Sequence, residues 1–164
     1  KPINYYGYTK QLADSFLLKN NKKNSLILRV SLLYSLLGKN ILTQIVKQIN
    51  SSEKMFYVND IICSPTSANA VAKFCNFVIL NDIKLNGLYH FTDDGYCSRF
   101  QFSEYIAKKI KPKKIINKIS SKNLNQLILR TNNSVLNNTK LKNSTKFKIY
   151  SWKHNLRLLL SKLD

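Results

Sequence analysis

The sequence has 164 residues, of which 44% are hydrophobic, and it carries a formal net charge of +19. This length is that of one domain, and the hydrophobic content excludes an intrinsically disordered chain. The charge alone would suggest a nucleic acid or an anionic membrane as the partner.

The basic residues lack the pattern of a nucleic-acid-binding surface. Only four of the 27 are arginine, the residue expected for bidentate recognition of phosphates and bases. The lysines are spread along the chain among abundant asparagine and isoleucine, as AT-rich codons produce. The densest run, residues 108–114, is predicted to be a helix end and the loop after it. We therefore predict a solvated positive surface and no nucleic-acid partner.

The cysteines and the apolar runs indicate the compartment. Cys63, Cys75 and Cys97 lie far apart and form no Cys-x-x-Cys, so neither zinc nor redox spacing is present and no metal site is predicted. An odd number of cysteines fits a reducing cytoplasm. No apolar run approaches the roughly 20 residues of a membrane span, so no membrane partner is expected.

The first third of the chain alternates helical and strand patterns. Apolar residues from Thr9 to Lys19 repeat at helical spacing. The nearly continuous apolar run at residues 25–33 predicts a strand that is buried on both faces, as in a parallel sheet. A second helix is expected over residues 41–49, followed by a short strand over residues 55–58.

The rest of the chain continues this alternation. Asp60 to Pro65 is predicted to be a loop, and Thr66 or Ser67 to cap a third helix. Further along we expect strands at 88–91 and 115–119, a helix at 100–110 that ends before Pro112, and a terminal helix at 152–163 with Trp152 and Leu163 facing inward.

This alternation favours an α/β fold with helices on both faces of a doubly wound parallel sheet. Such sheets bind ligands beyond the carboxyl ends of their strands. The glycine-rich phosphate loop of that fold has no counterpart among the four glycines. The chain also begins at Lys1 and passes at once into Pro2 and a helical pattern. We therefore expect a nucleotide-binding half to precede it.

Tyr6 and Lys10 form a candidate catalytic pair. Residues four apart share a helix face, and an ammonium group near a phenol favours the phenolate, which makes the phenol a usable general acid or base. The spacing alone is not specific, because Tyr105 and Lys109 repeat it. The second pair lies in a helix whose surroundings indicate only packing.

The context of the first pair is more specific. The stretch Pro2-x-Asn4-x-Tyr6-Gly7-x-Thr9-Lys10, the helix after it and the strand after that resemble the extended short-chain dehydrogenase/reductase superfamily. Further stretches, in the same order, are similar to those of the dTDP-4-dehydrorhamnose reductase family: LRVSLLY at 28–34, GKNI at 38–41, DIICSPT at 60–66, GLYHFT at 87–92, Arg130-x-x-x-Ser134-x-Leu136, and Trp152 at the start of the last helix.

The resemblance implies the C-terminal part of an NAD(P)-binding Rossmann-like doubly wound fold with a small sugar-nucleotide-binding subdomain. Residues 1–50 would end the Rossmann-like core, and residues 51–164 would form the substrate-binding subdomain and closing helices. The implied reaction is reduction of dTDP-4-dehydro-6-deoxy-L-mannose to dTDP-L-rhamnose, a precursor of surface polysaccharide, with NADPH or NADH as the cofactor.

The resemblance also implies the roles of site residues. Tyr6 would protonate the substrate carbonyl oxygen, and Lys10 would tune Tyr6 and bind the nicotinamide ribose. Leu32, Asn40 and Arg130 fall at positions implied to bind the dTDP-sugar. A homodimer is left open.

The chain departs from the family's pattern at several positions. Leu32 stands where the family has a tryptophan, Ser35 and Cys63 where it has glycine, and Thr131 where it has proline. These departures leave open a non-catalytic binding subunit, of the kind that regulates methionine adenosyltransferase. They also leave open another nucleotide-sugar epimerase or reductase, although nucleotide-sugar epimerases typically have Val-Asp-Asp where this chain has Ser-Pro-Thr.

Overall fold

The computed structural model describes residues 2–20, 25–51, 54–123 and 131–163. The helices in these ranges are α1 (Tyr5–Asn20), α2 (Ile41–Asn50), α3 (Ala68–Leu80), α4 (Arg99–Ile110), α5 (Thr139–Ser144) and α6 (Trp152–Leu160). The strands are β1 (Leu26–Arg29), β2 (Leu33–Tyr34), β3 (Met55–Val58), β4 (Ile62–Cys63), β5 (Thr66–Ser67), β6 (Gly87–His90), β7 (Cys97–Ser98), β8 (Ile116–Ile119) and β9 (Asn133–Ser134).

The strands pair mostly in parallel. β1 pairs with β6, β2 with β5 and β3 with β8, each in the parallel sense. β4 lies between β7, to which it is antiparallel, and β9, to which it is parallel. Parallel partners need crossover connections, and helices α2 to α4 lie within those connections. The predicted α/β class is therefore confirmed.

Two hydrophobic clusters hold these elements together. The larger one, here called the main core, joins α2, α4 and α6 around buried residues such as Ile45, Phe102 and Trp152. The smaller one packs α3 and α5 against β6 through Phe74, Phe91 and Leu141. Burial of this apolar surface is the principal favourable term in folding.

Polar caps fix where two of the predicted helices begin. The side chain of Asn40 accepts a hydrogen bond from the amide of Leu42, and Thr43 Oγ1 accepts one from the amide of Asn40. Ser98 and Gln101 form the same reciprocal arrangement at the start of α4. Each of these capping boxes satisfies backbone amides at the helix start that the helix itself leaves unpaired.

Several predicted boundaries and burial patterns are wrong. The run at 25–33 is not one strand buried on both faces: β1 ends at Arg29, only Ile27 in it is buried, and Leu33 begins the separate strand β2. The predicted loop at 60–65 contains β4. The last helix ends at Leu160, and Leu163 is exposed rather than inward. Trp152 is buried, as predicted.

The first helix also differs from its prediction. It begins at Tyr5 rather than Thr9, because Asn4 caps it: Asn4 Oδ1 accepts a hydrogen bond from the amide of Gly7 at 2.8 Å. None of its residues is buried. The division of the chain at residue 50 remains a prediction. Across the described ranges, the helices are too short or too polar to cross a membrane.

Candidate active site

The capped start of α1 presents Tyr6 to solvent. A Cβ at Gly7 would lie 3.3 Å from Asn4 Oδ1 and 3.4 Å from Cβ of Pro2, so a glycine lets the chain fold closely over the cap. Tyr6 is 70% exposed. Lys10 lies one turn further on, with its Nζ 5.4 Å from the centroid of the Tyr6 ring. The predicted pair thus shares one helix face.

An open cleft of about 870 Å³ lies beside Tyr6. Its walls come from the start of α1, the turn after β1, the β4 region, the first residue of α4, and β9. The lining residues are Pro2, Ile3, Asn4, Tyr6, Gly7, Leu32, Ile61, Cys63, Arg99, Thr131 and Ser134. The structure therefore brings Tyr6 and Leu32, which are 26 positions apart in the chain, to one site.

Leu32 has an unusual backbone at this site, with a φ of +35°. Non-glycine residues in this region are strained by about 1–3 kcal/mol and persist where the surroundings hold them. Here Thr66 does so: its amide donates to the carbonyl oxygen of Leu32 at 3.1 Å, and its hydroxyl donates to that of Ser31 at 2.5 Å. The Ser-Pro-Thr segment thus holds the strained backbone of the LRVSLLY segment in place.

Two other predicted substrate-binding residues lie elsewhere. Asn40 caps α2, and its Nδ2 donates to the carbonyl oxygens of Ser35 and Leu37, each at 3.0 Å. The side chain organises the turn before α2 and does not line the cleft. Arg130 lies outside the described residues. The substrate-binding roles of Leu32, Asn40 and Arg130 therefore remain predictions.

The second Tyr-x-x-x-Lys match has a packing role. Lys109 Nζ lies 6.0 Å from the centroid of the Tyr105 ring, much as Lys10 does at Tyr6. The Tyr105 ring, however, packs edge-on against the buried Trp152, with centroids 5.3 Å apart. Surroundings, and not the spacing, therefore separate the two pairs.

Sequence reasoning missed two lining residues, Arg99 and Cys63. Arg99 is the first residue of α4, and its position in the cleft depends on how the Ser98 cap aims that helix. Cys63 enters the cleft through β4, a strand of two residues that has no periodic signal. Cys63 stood out in the sequence only as a departure from the family's pattern, and no local pattern identifies either residue as part of the cleft.

Two polar residues, Arg29 and Asp60, have structural partners. Arg29 donates from Nε and Nη2 to Asp14 Oδ2 at 2.9 Å and 2.6 Å, which ties β1 to α1. Asp60 accepts from the amide and hydroxyl of Ser121 and from the hydroxyl of Ser120. These hydrogen bonds, that of Ser120 foremost, lower the pKa of Asp60. Asp60 is thus a loop cap.

A buried carboxylate, Asp93, joins four parts of the fold. Its oxygens accept hydrogen bonds from the hydroxyl of Tyr34 at 2.8 Å, the amide of Ser67 at 3.1 Å and Nδ2 of Asn155 at 2.8 Å. Burial raises the pKa of Asp93 to about 6, against the lowering effect of these bonds. Burial, together with Asp93 itself, also raises the pKa of Tyr34.

Within the described ranges, no three His, Cys, Asp or Glu side chains are grouped to hold a metal ion. The cleft instead offers a phenol, a guanidinium, a thiol and two hydroxyls beside apolar walls. Such a set suits an organic ligand that carries polar or anionic groups.

Comparisons with known proteins all indicate one group of relatives. The family model described as "RmlD substrate binding domain" matches residues 1–164. The dTDP-4-dehydrorhamnose reductase of Sinorhizobium fredii is 25% identical over an alignment of 168 residues that covers 97% of this chain. The spore coat polysaccharide biosynthesis protein SpsK of Bacillus subtilis is 30% identical over 108 residues, or 66% of this chain.

Solved structures show the same relation. A dTDP-4-dehydrorhamnose reductase from Bacillus anthracis in complex with NADP matches 100% of this chain with a TM-score of 0.89 and 26% identity. One from Clostridium acetobutylicum matches 99% with a TM-score of 0.90 and the same identity. The matches cover 57% of each of those chains and 56% and 37% of the two curated relatives. This chain thus spans about half the length of the proteins it resembles.

Proposed function

The chain belongs to the RmlD substrate binding domain family, and on that premise we propose that it forms the substrate-binding part of a dTDP-4-dehydrorhamnose reductase. The complete protein would reduce dTDP-4-dehydro-6-deoxy-L-mannose to dTDP-L-rhamnose for surface polysaccharide. The activity of the related dTDP-4-dehydrorhamnose reductases and the polysaccharide biosynthesis role of SpsK support this proposal. The three free cysteines suit a cytoplasmic enzyme.

The observation that carries the proposal is the position of Tyr6. It lies at the mouth of the same cleft as Leu32 and Arg99, so a proton donor, an apolar wall and a cation converge on one space. We propose that Tyr6 donates its phenolic proton to the carbonyl oxygen at C4 as that carbon is reduced. Lys10, one turn away, stabilises the phenolate that remains.

The residues present fit one part of a nicotinamide cofactor. Tyr6 and Lys10 are both exposed on one helix face, and the hydroxyl of the one and the ammonium of the other can hydrogen-bond the hydroxyls of a ribose. The structure of the Bacillus anthracis reductase contains NADP, which supports NADPH rather than NADH as the cofactor. NADPH would supply the hydride. This chain offers no glycine-rich loop for the pyrophosphate. That loop would belong to another part of the complete protein.

Arg99 is the proposed phosphate ligand. Planar guanidinium groups hold phosphate oxygens through paired, charge-assisted hydrogen bonds. Arg99 lines the cleft from the first position of α4, where the positive end of the helix dipole adds to its charge. The dTDP diphosphate would therefore lie at the α4 side of the cleft, and the sugar between Leu32 and Tyr6.

The decisive test is a matched pair of variants in the complete protein. Tyr6→Phe should lower the rate of NADPH oxidation with the keto-sugar by about 10²–10⁴-fold, because it removes the proton donor. Tyr105→Phe is the control: Tyr105 belongs to the second Tyr-x-x-x-Lys match, and its replacement should leave that rate unchanged. Unchanged turnover in Tyr6→Phe, with an intact far-UV circular dichroism spectrum, would contradict the role of Tyr6.

Titration of the chain itself with dTDP separates binding from chemistry. We expect NMR shifts for the amides of Gly7, Leu32 and Arg99, and none from the same concentration of free thymidine. Shifts without any reductase activity in the complete protein would favour the non-catalytic binding subunit. Shifts confined to surface lysines would contradict the cleft as the substrate site.

A further inference from the structure

Two cysteines that are 34 positions apart in the sequence face each other in the fold. Cys63 on β4 and Cys97 on β7 are directly opposed partners of an antiparallel pair. Opposed residues in such a pair have Cα atoms about 4.5–5.5 Å apart, which lies within the roughly 4.4–6.8 Å that a disulfide spans. The backbone therefore already has the separation that a disulfide between these strands needs.

The Cys63 thiol also contacts Cys97. Cys63 Sγ lies 3.4 Å from the carbonyl oxygen of Cys97, to which its S–H donates, and the two side chains are 3% and 2% exposed. Cys63 also belongs to the residues that line the cleft. The third cysteine, Cys75, is half-buried and lies on α3, outside this strand pair.

The charges around Cys63 favour its thiolate. A hydrogen bond from the Cys97 side chain lowers the pKa of the Cys63 thiol, burial opposes this, and the positive charge of Arg99 lowers it further. The same hydrogen bond, with burial, raises the pKa of Cys97. The thiolate is the reactive form of cysteine, so oxidation should begin at Cys63 and not at Cys97.

We propose that Cys63 and Cys97 form a redox pair, which a hydroperoxide oxidises to a disulfide across β4 and β7. A cysteine whose thiol pKa is lowered and that lies directly opposite a second cysteine has the arrangement in which a sulfenic acid condenses to a disulfide. The proposal rests on the strand register and the cleft, and is independent of the reductase function.

The chemistry balances in two steps. The Cys63 thiolate attacks one oxygen of hydrogen peroxide, the O–O bond breaks, and the departing hydroxide takes up a proton to leave as water. The Cys97 sulfur then attacks the resulting sulfenic acid, the S–O bond breaks, and a second water leaves as the S–S bond forms. Two thiols lose two electrons in total, and the peroxide gains them.

The disulfide would change one wall of the cleft. β4 pairs with β7 on one side and with β9 on the other, and Ser134 of β9 also lines the cleft. Closing the bond would convert Cys63, one of the residues that line the cleft, from a thiol to half of a disulfide that joins β4 to β7. The oxidation state of the pair would thereby be coupled to this wall of the cleft.

Tryptic peptides make the test direct, because the three cysteines fall in different peptides: residues 55–73, 74–84 and 85–99. The chain is treated with a small excess of hydrogen peroxide, alkylated with iodoacetamide and digested. We expect the first and third peptides to appear joined, with a mass two hydrogens below their sum, and the Cys75 peptide alkylated. Dithiothreitol before alkylation should restore three alkylated peptides.

Three variants assign the steps. Cys75→Ser should give the same joined peptides as the unaltered chain. Cys97→Ser should instead accumulate a dimedone-reactive sulfenic acid at residue 63, and Cys63→Ser should give neither product. Two results would overturn the proposal. One is a joined pair of peptides that contains Cys75, and the other is an oxidised Cys75 while Cys63 and Cys97 are still alkylated. If the variants do not fold, the peptide map of the unaltered chain decides alone.

Discussion

Helices α1 and α4 carry the same Tyr-x-x-x-Lys spacing and begin with similar side-chain caps, yet they differ in burial. The 12-residue α4 buries Phe102, Ile106 and Ala107 in the main core. The 16-residue α1 buries none of its residues. A buried helix face stabilises the fold, whereas an exposed one leaves its side chains available to a ligand or to another part of the protein. Burial, and not the motif, therefore distinguishes the two helices.

The largest expected effect comes from shortening one aromatic side chain on each helix. Phe102 is fully buried and its ring lies 5.7 Å from that of Trp152, so Phe102→Ala should lower the free energy of unfolding by about 3–5 kcal/mol. Phe16 on α1 is 64% exposed, so Phe16→Ala should change it by no more than about 0.5 kcal/mol. Urea unfolding, followed by circular dichroism, measures both. Equal losses would show that α1 is as firmly packed as α4.

The second-largest expected effect is on the pH dependence of stability, and it arises from the buried Asp93 and not from α1. The pKa of Asp93, about 6, lies above its unfolded value of 3.8, so between these values the folded state binds more protons. The stability that protonated Asp93 contributes is complete below about pH 4 and is lost as the pH rises through about 6. The whole shift corresponds to about 3 kcal/mol. Asp93→Asn should remove this fall from the pH dependence of urea unfolding.

Asp94→Asn is the matched control. The neighbouring carboxylate is half-exposed and pairs with Lys142 at 2.7 Å, so its loss should cost less than about 1 kcal/mol at neutral pH. Its variant should keep most of the fall in stability between about pH 4 and pH 7, because the charge of Asp94 is the smallest of the causes that shift the pKa of Asp93. A fall that persists in Asp93→Asn would assign the effect to other groups.

The smallest expected effect on stability comes from the ion pair that ties α1 to β1. Arg29 and Asp14 tie β1 to α1, and the arginine side chain is 48% exposed, so Arg29→Ala should lower the free energy of unfolding by less than about 1 kcal/mol. Hydrogen exchange should nevertheless become faster across α1 and stay unchanged across α4. Added salt should reproduce part of the effect, because it screens the pair. Faster exchange in both helices would contradict the difference drawn between them.

The sequence predicted the elements whose signals are local. Helix α2 was expected at 41–49 and occupies 41–50, and strand β3 was expected and found at 55–58. The capping residues, the apolar spacing and the flanking turns all lie within these segments. Strands of two residues, such as β4 and β9, carry no periodic pattern, and the six-residue α5 carries too little of one.

The site was predicted only in part, for the same reason. Tyr6 and Leu32 belong to recognisable segments, and the structure places both at one cleft. The positions of Arg99 and Cys63 depend on how distant strands pair, and so does the opposition of Cys63 and Cys97. That pairing is a property of the tertiary fold, which spacing along the chain does not record.

The one tryptophan of the sequence gives the molecule a built-in optical probe. Its indole lies in the main core between Phe102 and Tyr105, and its backbone carbonyl oxygen accepts a hydrogen bond from the hydroxyl of Tyr34 at 3.3 Å. Its fluorescence will therefore respond when the main core opens and will stay constant while α1 alone melts. Emission and far-UV ellipticity, recorded during one denaturation, would then separate the two regions without any label.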